Sequence, residues 1–233
     1  MKTTLETIGI IHSPFKEKFG IPRQPGLVPE AVATLELLPP YDRPEAVAGL
    51  DGYSHVWIQF LFHRTMREQW QPTVRPPRLG GNRRVGVFAS RSPFRPNPLG
   101  LSVMELRGVH CDRGVELELG GVDLLDGTPV VDIKPYVPYV DSIPDARGGF
   151  APAAPERRLP VRFTPQAERQ LRQRADGERV RELIRGLLEI DPRPAYRGEE
   201  EGERVFGMRL HDFDLRWRVM QGRVEVLELA AGY

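Results

Sequence analysis

The sequence predicts a mainly β protein in two parts: an antiparallel barrel or sandwich over residues 1–145, then a small α+β unit over residues 156–233. Three observations carry this. Glycine and proline number 23 each, about a fifth of the 233 residues, against a background of roughly 12%. Short β-branched or aromatic runs, roughly seven of them, follow one another with turn residues between them and no long helical period. Near residue 145 the pattern changes: a Gly/Ala/Pro-rich linker over residues 145–155 gives way to the first helical spacing.

The first run, residues 5–12, is β-branched and ends at Ser13-Pro14. Residues 16–29 hold Pro22, Pro25, Pro29, Gly20 and Gly26, so they form an exposed loop rather than a helix. Residues 33–38 alternate as a strand, and Pro44 starts one or two helical turns up to residue 50. Residues 53–62 read as a central strand, residues 64–79 have no period, and residues 85–89 form a short strand. Residues 101–109 and 115–119 are two strands joined by a turn at residues 111–114, and residues 130–133 form another, stopped by Pro135. Beyond the linker, Thr164 is an N-cap candidate with Pro165 at the first helical position. Val180, Leu183, Ile184, Leu187 and Leu188 follow helical spacing, and Gly177 divides the helical stretch in two. Residues 204–210 and 215–229 alternate as strands around a turn at Gly222.

Composition excludes several classes. No apolar run approaches the roughly 20 residues of a spanning helix, and the N-terminus lacks the apolar core of a signal peptide. Cys111 is the only cysteine, so there is neither an internal disulfide nor a Cys-rich zinc site. His12, His55, His63, His110 and His211 have no metal-ligand spacing, and no metal site is expected. These features point to the cytoplasm. Of the 33 basic residues only four are lysine, and residues 64–95 carry eight arginines against one acid, Glu68. A cluster that uneven suggests an anionic partner, with nucleic acid the leading candidate.

Standard phosphate-loop, zinc-protease and dinucleotide fingerprints are missing. Three unusual segments remain. A proline-stiffened loop over residues 18–26 presents Arg23 and Gln24 at its tip. Residues 86–102 run from a strand into Arg91, Arg95 and Asn97, with prolines at 93, 96 and 98 that preorganise two guanidiniums and an amide for phosphate or carboxylate. Residues 123–136 carry an Asp126-Gly127 turn and then Asp132, Lys134 and Tyr136 at alternate positions, hence on one strand face. That face offers a base, a charge and a stacking ring, or simply an Asp132–Lys134 ion pair.

In order along the chain, PRQPG, SHVWIQFLFH, PTVRPPRLGGN, GVFASRSPFRPNPLGLS and DLLDGTPVVDIKPY, followed by DPRPAYR and FDLRWR, resemble the TrmO family, also called TsaA-like or YaeB. The resemblance covers nearly the whole chain. It implies a β-barrel, S-adenosylmethionine-dependent tRNA methyltransferase that methylates N6 of N6-threonylcarbamoyladenosine at tRNA position 37. It also implies a homodimer with the methyl donor bound near the subunit interface. Carried over by motif, the donor site comprises Pro22, Arg23, Gln24, His63, Arg64, Arg91, Leu101, Asp123, Leu124, Leu125 and Asp126. Relatives carry glutamine where this chain has Arg64, so backbone contact is expected there. Asp132 and Tyr136 are candidates for the proton acceptor, and Arg95, Asn97 and Lys134 for substrate binding. Arg83 and Arg84, outside the donor motifs, are expected to meet tRNA phosphate, as is the C-terminal unit. The competing class is a noncatalytic RNA-binding module, which would bind RNA through its arginines and no methyl donor.

Overall fold

The computed structural model describes residues 3–65, 70–155, 159–193 and 204–231. Six strands close into an antiparallel barrel: β1 (Gly9–His12), β2 (Val32–Leu37), β3 (His55–Leu61), β6 (Leu99–His110), β7 (Glu116–Gly120) and β8 (Thr128–Pro135). Around the barrel the order is β1, β2, β7, β6, β3, β8. The last strand completes the ring, because β8 pairs with β3 on one side and with β1 on the other. Of the two architectures the strand pattern allowed, the barrel is therefore the one formed.

Alternation explains the core. Ile58 and Phe60 on β3, Leu35 on β2, Met104 on β6, Leu117 on β7 and Val130 on β8 are buried inside, while their sequence neighbours face outward. Phe60 pairs across β3–β6 with Gly100, which has no side chain and so leaves room for the ring.

The arginine-rich stretch contains a small hairpin of β4 (Thr73–Val74) and β5 (Val85–Gly86). Two-residue strands are too short for any period, so the sequence did not reveal the pairing. The strand expected over residues 85–89 ends at Gly86 and tightens into a 3₁₀ turn, Val87–Ala89, whose Val87 is buried. Helix α1 (Pro138–Asp141) follows the barrel, and the Gly/Ala/Pro-rich stretch then passes the arginine-rich loops, where Arg78 donates to the Ala153 carbonyl.

Past residue 158 come β9 (Val161–Phe163), α2 (Pro165–Arg172), α3 (Gly177–Glu189), β10 (Val205–Leu210), β11 (Phe213–Met220) and β12 (Arg223–Ala231). The sheet order is β10, β11, β12, β9, with β9 parallel to β12. Thr164 caps α2: its hydroxyl accepts from Ala167 N–H at 3.2 Å and donates to the Leu227 carbonyl at 2.7 Å. Leu227 is the extra residue at a register shift in the β11–β12 ladder, so the cap of α2 is tied to that bulge. The apolar stripe of α3 is buried as its spacing predicts.

This α+β unit lies directly on the barrel. Phe15 bridges to Leu210, His211 N–H donates to the Pro14 carbonyl at 2.8 Å, and Val28 packs beside Gly186. Buried residues of the two parts form one continuous core.

Gly100 gives a direct test of barrel packing. A Cβ there would stand 2.2 Å from Phe60 Cζ. Gly100→Ala is expected to cost about 1–3 kcal/mol, read from urea unfolding, because the ring must leave its rotamer. An unchanged midpoint would mean that Phe60 yields without strain.

Candidate functional site

The barrel mouth holds a cavity of about 560 Å³, bounded by the loop before β2, the end of β3, the loop before β6 and the loop between β7 and β8. Its size falls in the range of sites for a small organic ligand, about 300–1,000 Å³. Two glycines bring the first and last of these loops together. Gly26 (φ 74°) and Gly121 (φ 67°) are both in the left-handed region, and Gly26 N–H donates to the Gly121 carbonyl at 2.8 Å. A Cβ on Gly121 would stand 3.0 Å from Gly26 Cα.

At the tip of the first loop, Gln24 accepts from Arg91 Nη1 at 2.6 Å through Oε1, and its amide donates to the Arg23 carbonyl. Arg23 Nη2 donates to the Arg193 carbonyl at 3.4 Å, and Arg193 is buried against Asp191. The α+β unit thus contacts the cavity wall. Lys18 Nζ donates to the Arg64 carbonyl at 2.8 Å. Arg95 braces its own loop, donating from Nη1 to the Ser90 carbonyl at 2.7 Å and the Val87 carbonyl at 3.3 Å.

Asp123 sits at the cavity wall, and Ser102 Oγ donates to its Oδ1 at 2.8 Å. Burial pushes its carboxyl up to about 6, opposed by the Ser102 hydroxyl and, more weakly, by the charge of Arg91. At neutral pH it is still an anion, and Ser102 is its one side-chain partner among the described residues. His63 is held below its usual range by burial and by the charges of Arg64 and Lys18, so its imidazole is neutral. The wall combines a half-buried carboxylate, guanidiniums and apolar faces from Phe62, Leu101 and Leu124, which suits a ligand bearing both charges on an organic body.

Ten of the eleven residues expected at the donor site line this cavity; Asp126 does not. Its carboxylate instead accepts from Ser13 N–H at 2.9 Å and pairs with Lys16 Nζ at 2.7 Å, fixing the loop behind the wall. Arg95 also lines the cavity, whereas Asn97 does not and lends its carbonyl to Leu99 N–H at 2.7 Å. Asp132, Lys134 and Tyr136 do share a strand face, but it is the outer face of the barrel. There Asp132 pairs with Lys134 at 2.7 Å and accepts from Gln59 Nε2 at 3.2 Å, and Tyr136 packs at a tilt beside Trp57. Ser102, Phe62 and Gly100 are cavity residues the sequence did not single out; Ser102 ends a quoted motif, but only its contact with Asp123 marks it.

A larger groove, about 1790 Å³, adjoins the cavity and shares Arg23, Gln24, Ser90, Arg91 and Arg95 with it. Arg84 lies on its wall and Arg83 does not. Seven arginines and no acid line it among the described residues. Also among the described residues, no group of three or more His, Cys, Asp or Glu stands where it could hold a metal. The DPRPAYR motif runs past residue 193, outside the described residues.

A closed antiparallel barrel with an amphoteric cavity beside an arginine-lined groove is a frame suited to a small ligand next to a polyanion. Residues 10–142 match the family model of the tRNA-methyltransferase O N-terminal domain, and residues 156–232 match that of the TrmO C-terminal domain. The chain belongs to this family. It is 53% identical over 228 residues to the tRNA (adenine(37)-N6)-methyltransferase of Escherichia coli K12, covering 96% of each chain. It is 50% identical, over the full length of both, to a Pseudomonas aeruginosa protein provisionally named an S-adenosylmethionine-dependent methyltransferase, RcsF. The crystal structure of TrmO from P. aeruginosa superposes with a TM-score of 0.81 at 45% identity, covering 100% of this chain and 98% of that one.

The raised Asp123 carboxyl predicts a pH signature. The unfolded chain loses this proton near 3.8 and the folded protein near 6, so between these values the native state binds the extra proton. Stability from this group is therefore present below about pH 4 and lost as pH rises through about 6. Asp123→Asn should flatten that fall and leave the protein about 1–3 kcal/mol more stable at neutral pH, read from urea midpoints across a pH series. A wild-type slope retained in the variant would assign the titration to another group.

Proposed function

We propose that this chain is an S-adenosylmethionine-dependent tRNA methyltransferase acting on N6 of adenosine 37, with N6-threonylcarbamoyladenosine as its substrate nucleoside, and that it works in the cytoplasm as a homodimer. The observation that carries the reading is the direct opening of a donor-sized cavity into an arginine-lined groove, through residues common to both. Relatives named for this activity at up to 53% identity support it. No helix among the described residues is long and apolar enough to cross a membrane.

When bound, S-adenosylmethionine supplies an electrophilic methyl on a sulfonium. The cavity suits it because Asp123 is a half-buried anion with an oxygen free of side-chain partners among the described residues, which would attract a ligand that carries cationic groups. Pro22, Arg23 and Gln24, with Arg91 fixed by Gln24, would hold polar groups of the donor, and Leu101, Leu124 and Leu125 would line its apolar parts. His63 and Arg64 also line the cavity, the backbone carbonyl of Arg64 being held by Lys18.

Alignment is the main task, because N6 is a weak nucleophile whose lone pair is delocalised into the ring and the carbamoyl group. The carbamoyl makes the N6 proton more acidic, so a carboxylate or phenolate can take it. Asp132 and Tyr136 are the proposed acceptors. On the outer face of the barrel they reach a reacting base only where two barrels meet. Beside the Asp132–Lys134 pair this side of the protein exposes large apolar side chains: Leu101 is 51% exposed, Tyr139 88%, Val140 58% and Ile143 69%, and Leu101 also lines the cavity. A second copy covering this side would bury these side chains and complete the cavity. Arg91 or Arg95 meets the threonyl carboxylate, with Lys134 and Asn97 further out. Arg83, Arg84 and, in the α+β unit, Arg169, Arg172 and Arg179 meet phosphate; these carry no ion pair among the described residues.

Incubation with donor and total tRNA from a strain lacking the gene, followed by nucleoside mass spectrometry, is expected to convert N6-threonylcarbamoyladenosine to its singly methylated form. A protein that binds tRNA but shows no donor affinity in calorimetry would be the noncatalytic RNA-binding module instead.

For the dimer, Val140→Glu is expected to give a monomer by light scattering and to abolish methylation. A wild-type monomer that methylates tRNA would remove the dimer and, with it, the role of Asp132 and Tyr136.

A further inference from the structure

We propose that Trp70 and Phe88 form a stacking platform for an unpaired nucleobase next to the one that enters the cavity, so that the enzyme grips the RNA loop by a neighbour of its target. This deepens the tRNA methyltransferase reading and rests on it.

Two large rings stand in solvent on the groove wall: Trp70 is 51% exposed and Phe88 is 71% exposed. Their centroids are 6.3 Å apart and their planes differ by 29°, so they present nearly parallel faces. Exposed aromatic surface of this kind is costly in water unless something covers it.

Phe88 is held in place by the fold, and Trp70 stacks beside it. Phe88 sits on the 3₁₀ turn Val87–Ala89, anchored by buried Val87, whose N–H donates to the Pro72 carbonyl at 2.9 Å. The β4–β5 pairing ties the chain just after Trp70 to the chain just before Phe88. Arg95 lies over the Phe88 ring, 5.7 Å from its centroid, and its guanidinium is bound to the Ser90 and Val87 carbonyls. A platform fixed before binding loses little entropy when a base stacks on it.

Its surroundings select the occupant. The groove wall is lined by seven arginines and no acid among the described residues, and Arg75, Arg84 and Arg147 carry no ion pair there. Basic grooves with aromatic rings at intervals bind single-stranded nucleic acid, the charges following the backbone and the rings taking bases. A duplex offers no free base face, whereas a hairpin loop does. Arg91 and Arg95 belong to both groove and cavity, so an RNA loop crossing them places one base at the cavity and a neighbouring base on the rings.

The test uses full-length protein and a synthetic anticodon stem-loop carrying N6-threonylcarbamoyladenosine at position 37. Trp70→Ala and Phe88→Ala are each expected to weaken RNA binding and raise KM for the RNA by about 5- to 150-fold. Donor affinity in calorimetry should not change. Trp70→Phe should recover most of the loss, which simple removal of a bulky surface residue would not predict. A stem-loop with an abasic nucleotide flanking position 37 should cost wild-type protein a similar factor and cost Trp70→Ala little more, since the ring and the base act together. Unchanged KM in both alanine variants, or fully additive losses with the abasic RNA, would overturn the platform while leaving the methyltransferase reading intact. Displacement of the RNA by polyglutamate with equal strength in wild type and Trp70→Ala would assign the groove to charge alone and likewise overturn it. Wild-type protein that neither binds donor nor methylates this RNA would remove the methyltransferase reading, and the platform with it.

Discussion

Barrel closure by β8 is the constraint on which the rest depends. One strand satisfies two backbone edges, Gln59↔Asp132 and Trp57↔Lys134 toward β3 and Gly9↔Val130 toward β1. Without it the sheet would expose two unpaired edges and its apolar interior. The same closure fixes where the loops go. The turn that feeds β8 carries Asp123, Leu124 and Leu125 to the barrel mouth, opposite the end of β3 and the start of β6. The contact between Gly26 and Gly121 then brings the Arg23–Gln24 loop over the same opening. The cavity is a consequence of strand order, assembled from segments far apart in the chain.

Electrostatics divide this surface in two. Inside the cavity a carboxylate is kept partly desolvated, and its proton affinity rises accordingly. Outside, the groove has one sign of charge, and its guanidiniums face solvent or brace loops through carbonyl oxygens rather than pairing with acids. A loop braced by its own arginine holds its shape and keeps the positive charge. Along α2, α3 and the turn between them the balance is mixed: Arg174, Arg181 and Arg185 are paired with Asp176, Glu168 and Glu182, whereas Arg169, Arg172 and Arg179 carry no ion pair among the described residues. A local arginine count therefore says little about ligand binding until the acidic partners are located.

The α+β unit is more than an appendage to the barrel. Leu210 and Phe15 pair across the boundary, Met208 fills the space above Gly20, and Val28 meets α3 at Gly186. Through the Arg193 carbonyl it also reaches Arg23 at the cavity wall. Buried contact of this kind restrains movement of one part against the other, so the Arg23–Gln24 loop is supported from both sides.

Local physics made much of this legible in the sequence. Alternation identified the strands, Thr164-Pro165 marked the start of α2, and the spacing from Val180 to Leu188 identified the buried stripe of α3. Prolines and glycines marked the loops, and the motifs within them named most of the cavity wall. Other features had no local signal. β4 and β9 are two or three residues long, shorter than any period, and the strand expected over residues 85–89 carried no sign of its partner β4. Strand alternation put Asp132, Lys134 and Tyr136 on one face but left open which side of the barrel that face would be. Asp126 resembles its cavity-lining neighbours in sequence, yet its carboxylate is taken by Lys16 and Ser13. The sequence by itself determined strands, caps, loop stiffness and the excess of positive charge, because each depends on residues within a few positions of one another. Only the tertiary structure decided that β8 would close a barrel, that Asp123 would meet Ser102 at the cavity wall, and that Trp70 would stand next to Phe88, because those outcomes depend on pairing between segments distant in the chain.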